Sequence, residues 1–190
     1  MTKVIYNMSA SLDGFVRASG ATAGQPLGVG GDRLHQWFFD KDPANQAFVE
    51  KMLNALGAVV CGRSTYDESA WGSDGPTGRL RVPVVVLTHK PPASPVQDGV
   101  YAFVTEGIAA AIHKARTLAG TKDVSLMGGP GVGCQALAAG LVDEIVVSVV
   151  PVLFGSGLAM FSELPSHVEL ELMDVVRSRA ATHLAYRVLR

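Results

Sequence analysis

Short apolar runs alternate along the chain with segments in which apolar residues recur at helical spacing. The runs predict strands over residues 4–10, 58–61, 82–87, 100–104, 124–127 and 145–150. The first run is apolar on both faces, as expected for a strand in a sheet that is covered on both sides. Two later runs, residues 168–176 and 180–189, are separated by Arg177-Ser178-Arg179 and predict a closing antiparallel hairpin.

Helical patterns separate several of these runs. A helix is predicted to start near Asp42-Pro43, because proline is favoured in the first turn, and to stop at Gly57. A second helix is predicted between a capping Thr105 and a terminating Gly120. Their apolar stripes are Phe48, Met52, Leu53 and Leu56 in the first, and Ile108, Ala111, Ile112, Ala115, Leu118 and Ala119 in the second. The alternation predicts an α/β sheet with an antiparallel end.

Two segments show neither the apolar run of a strand nor the apolar spacing of a helix. Residues 17–31 contain five glycines and a proline, and they predict a long loop. A loop of this length is either a lid or binding loop or a disordered surface insertion, and both interpretations stay open. Residues 32–40 gather Leu34, Trp37, Phe38 and Phe39 in a predicted helical turn. The aromatic side chains would either stack on a planar substrate or pack in the core.

Composition narrows the class of protein. Hydrophobic residues make up 48% of the chain and charged residues only 17%, with a net charge of −1, which predicts a compact interior and disfavours a broad nucleic-acid surface. No run approaches the roughly 18 apolar residues of a membrane span, and the N-terminal residues lack the apolar core of a signal peptide. We therefore expect a cytoplasmic chain, with one domain over residues 1–190.

The cysteines and histidines do not predict a metal centre. Cys61 and Cys134 are isolated, which predicts small buried residues in a reducing compartment. His113, His167 and His183 are dispersed and lack the spacing of metal ligands. We expect no metal.

A glycine-rich turn lies between the runs at 124–127 and 145–150, and a short Ala/Leu-rich segment follows it. Strand, turn, helix and strand together predict a βαβ unit. Glycines let the backbone approach a ligand closely, and a helix start presents unpaired N–H groups that suit phosphate. The spacing is GxGxG, so the turn is neither the GxGxxG fingerprint nor a P-loop, and a purely structural turn remains an alternative.

Two other apolar runs end in residues suited to phosphate. Gly62-Arg63-Ser64-Thr65 follows the run at 58–61, and Thr88-His89-Lys90 follows the run at 82–87. The carboxyl ends of parallel strands gather at one edge of an α/β sheet, so we expect these ends and the glycine turn to converge. Arg63 can grip a phosphate with two N–H groups, although taken alone it could equally be an ordinary surface arginine. The convergence predicts a receptor for a dinucleotide with an extra phosphate.

Four motifs in this order resemble the dihydrofolate reductase-like superfamily, and within it the reductase domain of bacterial riboflavin-biosynthesis enzymes and their stand-alone relatives. They are MSASLDG at 8–14, VCGRSTY at 60–66, MGGPG at 127–131 and VPVLFGSG at 150–157. The resemblance implies a three-layer fold: a mixed, mostly parallel eight-stranded sheet with a C-terminal antiparallel hairpin and helices on both faces. It also implies NADPH as the hydride donor and a homodimer.

The resemblance assigns cofactor residues by position. Ser9 and Ala10 would line the nicotinamide pocket through backbone contacts. The phosphate-side residues would be Gly62, Arg63, Ser64 and Thr65, then Thr88, His89 and Lys90 near the adenosine 2′-phosphate, and Gly128, Gly129, Pro130, Gly131, Val132 and Gly133 beneath the pyrophosphate.

The substrate side departs from folate reductases. These enzymes place a carboxylate on the helix before the Gly-Arg strand, and the corresponding position here is near the neutral Gln46, so folate reduction is not expected. Glu50 lies one turn further on and could replace it. The candidate catalytic residues are Asp13, His35 and Glu50, and the candidate substrate contacts are Asp32, Trp37 and Gln46. The alternative for each of the four charged or titratable candidates is a turn residue, a cap or a solvated side chain; these four are Asp13, Asp32, His35 and Glu50.

The sequence therefore predicts an NADPH-dependent reductase of a small heterocyclic or carbonyl substrate. The alternative is a nucleotide-binding module without catalysis, because no proton donor is obvious. A zinc deaminase is not expected, since the chain has no HxE motif with PCxxC.

Overall fold

The computed structural model describes residues 2–161 and 164–189. The strands are β1 (Val4–Ser11), β2 (Phe15–Ala18), β3 (Leu56–Gly62), β4 (Val84–Leu87), β5 (Tyr101–Val104), β6 (Asp123–Leu126), β7 (Glu144–Val150), β8 (Gly157–Ala159), β9 (Leu170–Arg177) and β10 (Thr182–Val188). The α-helices are α1 (Pro43–Ala55), α2 (Arg63–Glu68), α3 (Ile108–Ala119) and α4 (Pro130–Ala138), and 3-10 helices span Gly31–Phe39 and Gly72–Leu80.

Eight of the strands form one mixed sheet in the order β5-β4-β3-β6-β1-β7-β10-β9. The strands from β5 to β1 pair in parallel, whereas β7, β10 and β9 pair antiparallel. This confirms the predicted sheet and its C-terminal hairpin. Helices lie on the connections from β1 to β3, from β3 to β4 and from β5 to β6, whereas residues 88–100 join β4 to β5 without one.

The chain forms two compact units, of which unit 1 comprises residues 1–6 and 55–143. Its core is built on β3 and β4 and contains Leu56, Val59, Cys61, Val82, Val84 and Val86, with Tyr66, Trp71, Val100, Tyr101, Phe103 and Met127 packed against it. The near-continuous run of buried valines is typical of parallel strands covered on both faces. Cys61 and Cys134 are both buried, as the sequence predicted, and neither forms a disulfide.

Unit 2 comprises residues 7–54 and 144–190. Its core consists of Leu34, Trp37, Val150 and Ala181, with Phe38, Phe48, Val49, Val152, Phe154 and Ala180 around it. The predicted helical turn over residues 32–40 is therefore present as a 3-10 helix, and it supplies two of these core side chains.

Two predicted helix boundaries are wrong. Gly57 does not stop a helix, because α1 ends at Ala55 and Leu56 already belongs to β3. A Cβ on Gly57 would lie 2.8 Å from the Cβ of Ala119, so this glycine permits the close approach of α3. Thr105 does not cap α3 either, since the residue at that position is Gly107, with a φ of 93°.

The sequence also missed a two-stranded sheet made by β2 and β8. A Cβ on Gly157 would lie 2.0 Å from the carbonyl oxygen of Arg17, so β8 can approach β2 only with glycine there. The strands have four and three residues, too few to display a period. The predicted loop over residues 17–31 is correspondingly shorter, and Thr22 and Gln25 bridge within it.

No described helix has the length and apolar character needed to cross a bilayer. Within residues 2–161 and 164–189, no three His, Cys, Asp or Glu side chains are grouped to hold a metal ion.

Candidate nucleotide-binding site

The carboxyl ends of three neighbouring parallel strands of unit 1 lie side by side. Gly62 at the end of β3 is in register with Leu87 at the end of β4, and Val60 of β3 is in register with Leu126 at the end of β6. The residues that follow these ends therefore emerge from one edge of the sheet, as expected. We call residues 62–65, 88–90 and 128–131 the strand-tip site.

The glycine turn is fixed to α2 by a hydrogen bond between side chain and backbone. The Thr65 hydroxyl donates to the Gly128 carbonyl at 2.6 Å. Gly128 has a φ of 90°, and a Cβ there would lie 2.2 Å from the hydroxyl oxygen of Thr65. Only glycine fits this position without displacing Thr65, so the turn has a defined shape before any ligand arrives.

The N-terminus of α4 presents open backbone. Gly129 precedes the helix with a φ of 104°, Pro130 is the first helical residue, and no side chain of the described residues caps this end. Added Cβ atoms on Gly129 and Gly131 would meet nothing within 4 Å. The free N–H groups and the helix dipole make this end suited to an anion such as phosphate.

The last two residues of the predicted glycine series are packing residues in unit 1. A Cβ on Gly133 would lie 2.2 Å from a ring carbon of the fully buried Tyr6. Val132 is only 5% exposed. The backbone is therefore accessible at Gly129 and Gly131, while Gly133 admits the Tyr6 ring.

Arg63 lies between α2 and the segment after β4. Its Nε donates to the Asp67 carboxylate at 2.8 Å, and its Nη1 donates to the Lys90 carbonyl at 2.9 Å. The side chain remains 36% exposed. Arg63 therefore joins two of the three strand ends directly, while Thr65 joins α2 to the third.

Thr88 and Lys90 form a compact turn at the end of β4. The Thr88 hydroxyl donates to the Lys90 carbonyl at 2.8 Å and accepts from the Lys90 N–H at 3.3 Å. Thr88 is buried, whereas the side chains of His89 and Lys90, like that of Ser64, are exposed. Thr88 shapes the turn, and Lys90 supplies an accessible positive charge.

In unit 2, Ser9 and Ala10 are buried near the end of β1. The Ser9 hydroxyl accepts a hydrogen bond from Nε1 of Trp37 at 2.8 Å. Trp37 is 5% exposed and belongs to the core, so its packing matches the alternative interpretation of this aromatic cluster. Phe38 contacts it edge-on, and Phe39 is 79% exposed.

Asp13 fastens the turn after β1 to a later loop. Its carboxylate accepts from the Ser11 hydroxyl at 2.6 Å and from the backbone N–H groups of Phe154 and Gly155 at 3.1 and 2.7 Å. The Ser11 hydroxyl, followed by these N–H groups, holds the pKa of Asp13 below its ordinary value. A carboxylate stabilised in this way is a poor proton donor. Of the other candidates, Asp32, His35, Gln46 and Glu50 have exposed side chains.

Sequence reasoning missed a buried chain of polar side chains in unit 2, which we call the His183 network. Ser148 Oγ lies 2.8 Å from Nδ1 of His183, and Nε2 of the same ring lies 3.1 Å from Oδ1 of Asn45. Asn45 Nδ2 donates to the carbonyls of Trp37 and Asp40 at 2.5 and 3.2 Å. His183 lies two residues after the buried Ala181, which precedes β10, so the two side chains share a face, and this spacing is the signal that could have indicated the burial of His183.

The bonds of the network determine the tautomer of His183. Asn45 gives its N–H groups to two carbonyls, so its oxygen must accept from Nε2 of His183, and Nδ1 accepts from Ser148. The ring is neutral, and it stacks on Phe48 with a centroid distance of 3.9 Å. Burial lowers the pKa of His183 to about 4.

Comparisons with known proteins show the family of the chain. The model of the family described as the RibD C-terminal domain matches residues 2–184. The chain is 23% identical to the uncharacterized protein YwjB of Bacillus subtilis, over 97% of each chain. It is 24% identical to the uncharacterized protein YyaP of the same organism, over 90% of this chain and 87% of the other.

Solved structures show the same fold. A putative riboflavin biosynthesis protein from Shewanella sp. PV-4 superposes with a TM-score of 0.72 and 22% identity over the full length of both chains. The riboflavin biosynthesis reductase of Saccharomyces cerevisiae gives a TM-score of 0.63 and 16% identity, over 99% of this chain and 90% of the other. A pyrimidine reductase-like protein from Corynebacterium diphtheriae gives 0.62 and 17%, over 100% and 92%.

Proposed function

Because the chain belongs to the RibD C-terminal domain family, we propose that it is an NADPH-dependent oxidoreductase that reduces a small heterocyclic, pyrimidine- or pterin-like, or carbonyl substrate. The observation that carries the proposal is the strand-tip site, where α2, the Thr88 turn and the glycine turn are joined by hydrogen bonds. The names of two similar structures, a pyrimidine reductase-like protein and a riboflavin biosynthesis reductase, support the substrate class.

The residues of the strand-tip site fit the phosphates of a dinucleotide. Open backbone at Gly129 and Gly131, at the start of α4, suits the pyrophosphate. Arg63 and Lys90 supply the cationic groups that an additional 2′-phosphate requires. NADPH would supply the hydride, and the protein would bind the coenzyme, orient its nicotinamide and exclude water.

The proton that accompanies hydride transfer needs a separate donor. Asp13 is disfavoured because its carboxylate accepts three hydrogen bonds and its pKa is lowered. Glu50 and His35 remain the candidates, and solvent water is the alternative source. Ser9 and Ala10 would contact the nicotinamide through their backbone, because their side chains are buried.

A second copy of the chain would cover the outer face of the antiparallel strands. Val147, Leu184 and Val175 lie opposite one another across β7, β10 and β9, and Val175 is 50% exposed. The other face of these strands carries His183 and Val150, both buried. A homodimer through this face would remove the apolar row from water. Two cysteines that form no disulfide fit a cytoplasmic location.

The test is NADPH consumption, followed by absorbance, with a panel of aminopyrimidines, pterins and small carbonyl compounds. We expect one class to support oxidation of NADPH, with NADH clearly poorer. Binding of NADPH without turnover on any member would favour the alternative, a non-catalytic nucleotide-binding module. Absence of NADPH binding at millimolar concentration would refute both.

A further inference from the structure

The charges on α2 are placed against the preferences of a helix. Arg63 is its first residue, and Asp67 and Glu68 are its last two. The positive end of the helix dipole disfavours a cation there, and the negative end disfavours anions. An i,i+4 pair with the basic residue first is also the weaker orientation. Helix stability therefore does not account for this pair, and such local conflicts concentrate at functional sites.

The pair is nevertheless well formed. Nε of Arg63 lies 2.8 Å from each of the two carboxylate oxygens of Asp67. The side chains are 36% and 46% exposed, so solvent screens the pair and it adds little to stability. Its main effect is on conformation, because an exposed arginine otherwise samples many rotamers and Asp67 holds this one in place.

The remaining donors of Arg63 point to a ligand. Asp67 takes the Nε hydrogen and the Lys90 carbonyl takes one Nη1 hydrogen. Both Nη2 hydrogens and the second Nη1 hydrogen have no hydrogen-bond partner within the described residues. Two parallel N–H groups are what a guanidinium needs to grip a phosphate.

We propose that Asp67 is a positioning residue, which orients the Arg63 guanidinium so that its Nη groups meet a phosphate of the bound dinucleotide. This inference rests on the proposed function. Asp67 also cancels the charge of Arg63, so Lys90 provides the net positive charge at the strand tips. Asp67 lowers the cost of ordering Arg63 on binding and at the same time weakens its attraction for an anion.

Two substitutions separate these effects. Asp67→Asn keeps an oxygen that accepts from Nε but removes the charge, so NADPH should bind as tightly as in the wild type or about threefold more tightly. Asp67→Ala removes the acceptor, and the dissociation constant for NADPH should rise about tenfold, with NADH affected less. Glu68→Ala removes the same charge one residue away and should change the NADPH constant less than threefold.

A double-mutant cycle ties the effect to Arg63. In an Arg63→Ala background, Asp67→Ala should no longer weaken NADPH binding. In the protein without coenzyme, the Nε–Hε signal of Arg63 in 15N NMR spectra should be sharp in the wild type and Asp67→Asn, and lost to solvent exchange in Asp67→Ala.

The outcomes are distinguishable. Absence of NADPH binding by the wild-type protein overturns the proposed function and this inference together. Normal binding by the wild type with equal constants for Asp67→Ala overturns this inference alone. Equal weakening by Asp67→Asn and Asp67→Ala also overturns it, because an asparagine oxygen that accepts from Nε would then orient Arg63 no better than alanine does. Rescue by asparagine, together with the Nε signal, supports it.

Discussion

The strand-tip site and the His183 network differ in how completely their polar groups are hydrogen-bonded within the protein. In the network, His183 and Asn45 are buried, and each of their side-chain polar atoms has a partner within unit 2. At the strand tips, hydrogen bonds fix the backbone, while part of Arg63 and the backbone at Gly131 stay open. A saturated buried network specifies structure. A network that is rigid and exposed, and in which some donors have no partner within the protein, can bind a ligand through those donors.

The largest expected effect is a difference in stability between alanine substitutions at two glycines of α4, one packed and one open. Gly133→Ala places a Cβ 2.2 Å from the buried ring of Tyr6, so we expect it to lower the free energy of unfolding by about 3 kcal/mol or more. Gly131→Ala meets open space and should be neutral or stabilise by up to about 1 kcal/mol. Urea unfolding of both variants measures the difference. Equal destabilisation would show that the open face of the glycine turn is itself packed.

The His183 network should make stability depend on pH. The folded pKa of about 4 lies below the unfolded value of 6.5, so the contribution of His183 is complete above pH 6.5 and falls as the pH drops to 4. The loss should be at most roughly 3 kcal/mol, from about 1.4 kcal/mol per pKa unit. The control is His183→Gln, which cannot titrate and should show a correspondingly smaller decline between these pH values. The same decline in both proteins would remove His183 as the cause.

Arg63→Ala should act on binding rather than on folding. We expect the dissociation constant for NADPH to rise about tenfold or more, equivalent to about 1.4 kcal/mol, and that for NADH by less than threefold, because only NADPH carries the 2′-phosphate. Titration calorimetry with both coenzymes gives the comparison. Arg79→Ala, another exposed arginine of unit 1, should change neither constant. Equal weakening of both coenzymes would contradict the role of Arg63 in discrimination.

The smallest effect is expected at Thr65. Thr65→Val keeps the shape of the side chain but leaves the Gly128 carbonyl without its donor, at a cost of about 1 kcal/mol. Thr65→Ser retains the hydroxyl and should stay closer to the wild type. Thermal unfolding and NADPH titration of the two variants provide the readout. If valine and serine behaved alike, the bond would not hold the turn.

Much of the fold follows from the sequence because the sheet is built on buried apolar runs. The run at 145–150 forms β7, and the two terminal runs form the β9-β10 hairpin. An apolar run of this length indicates a strand whatever its neighbours in the sheet are. The prediction for Gly57 was wrong because the sequence does not distinguish a glycine that ends a helix from a glycine that lets a neighbouring helix pack closely. The strands β2 and β8 were missed because each is too short to show alternation.

The sequence predicted which segments form the candidate site but not how their side chains are arranged. The convergence of Arg63, Lys90 and Gly128 follows from a general property of parallel sheets, so sequence sufficed. The restraint of Arg63 by Asp67 and the burial of Asn45 depend on side-chain directions that only three-dimensional packing determines. The role of Trp37 was open for the same reason, because the sequence does not distinguish an aromatic residue in a substrate pocket from one in a core.

The most direct test of the nucleotide assignment is a titration of 15N-labelled protein with NADPH, followed residue by residue. We expect the backbone signals of residues 62–65, 88–90 and 128–131 to shift together along one saturable curve, with Gly133 shifting less. No shift at millimolar NADPH, or shifts confined to other surfaces, would contradict the central claim that the three strand ends form one receptor for the coenzyme.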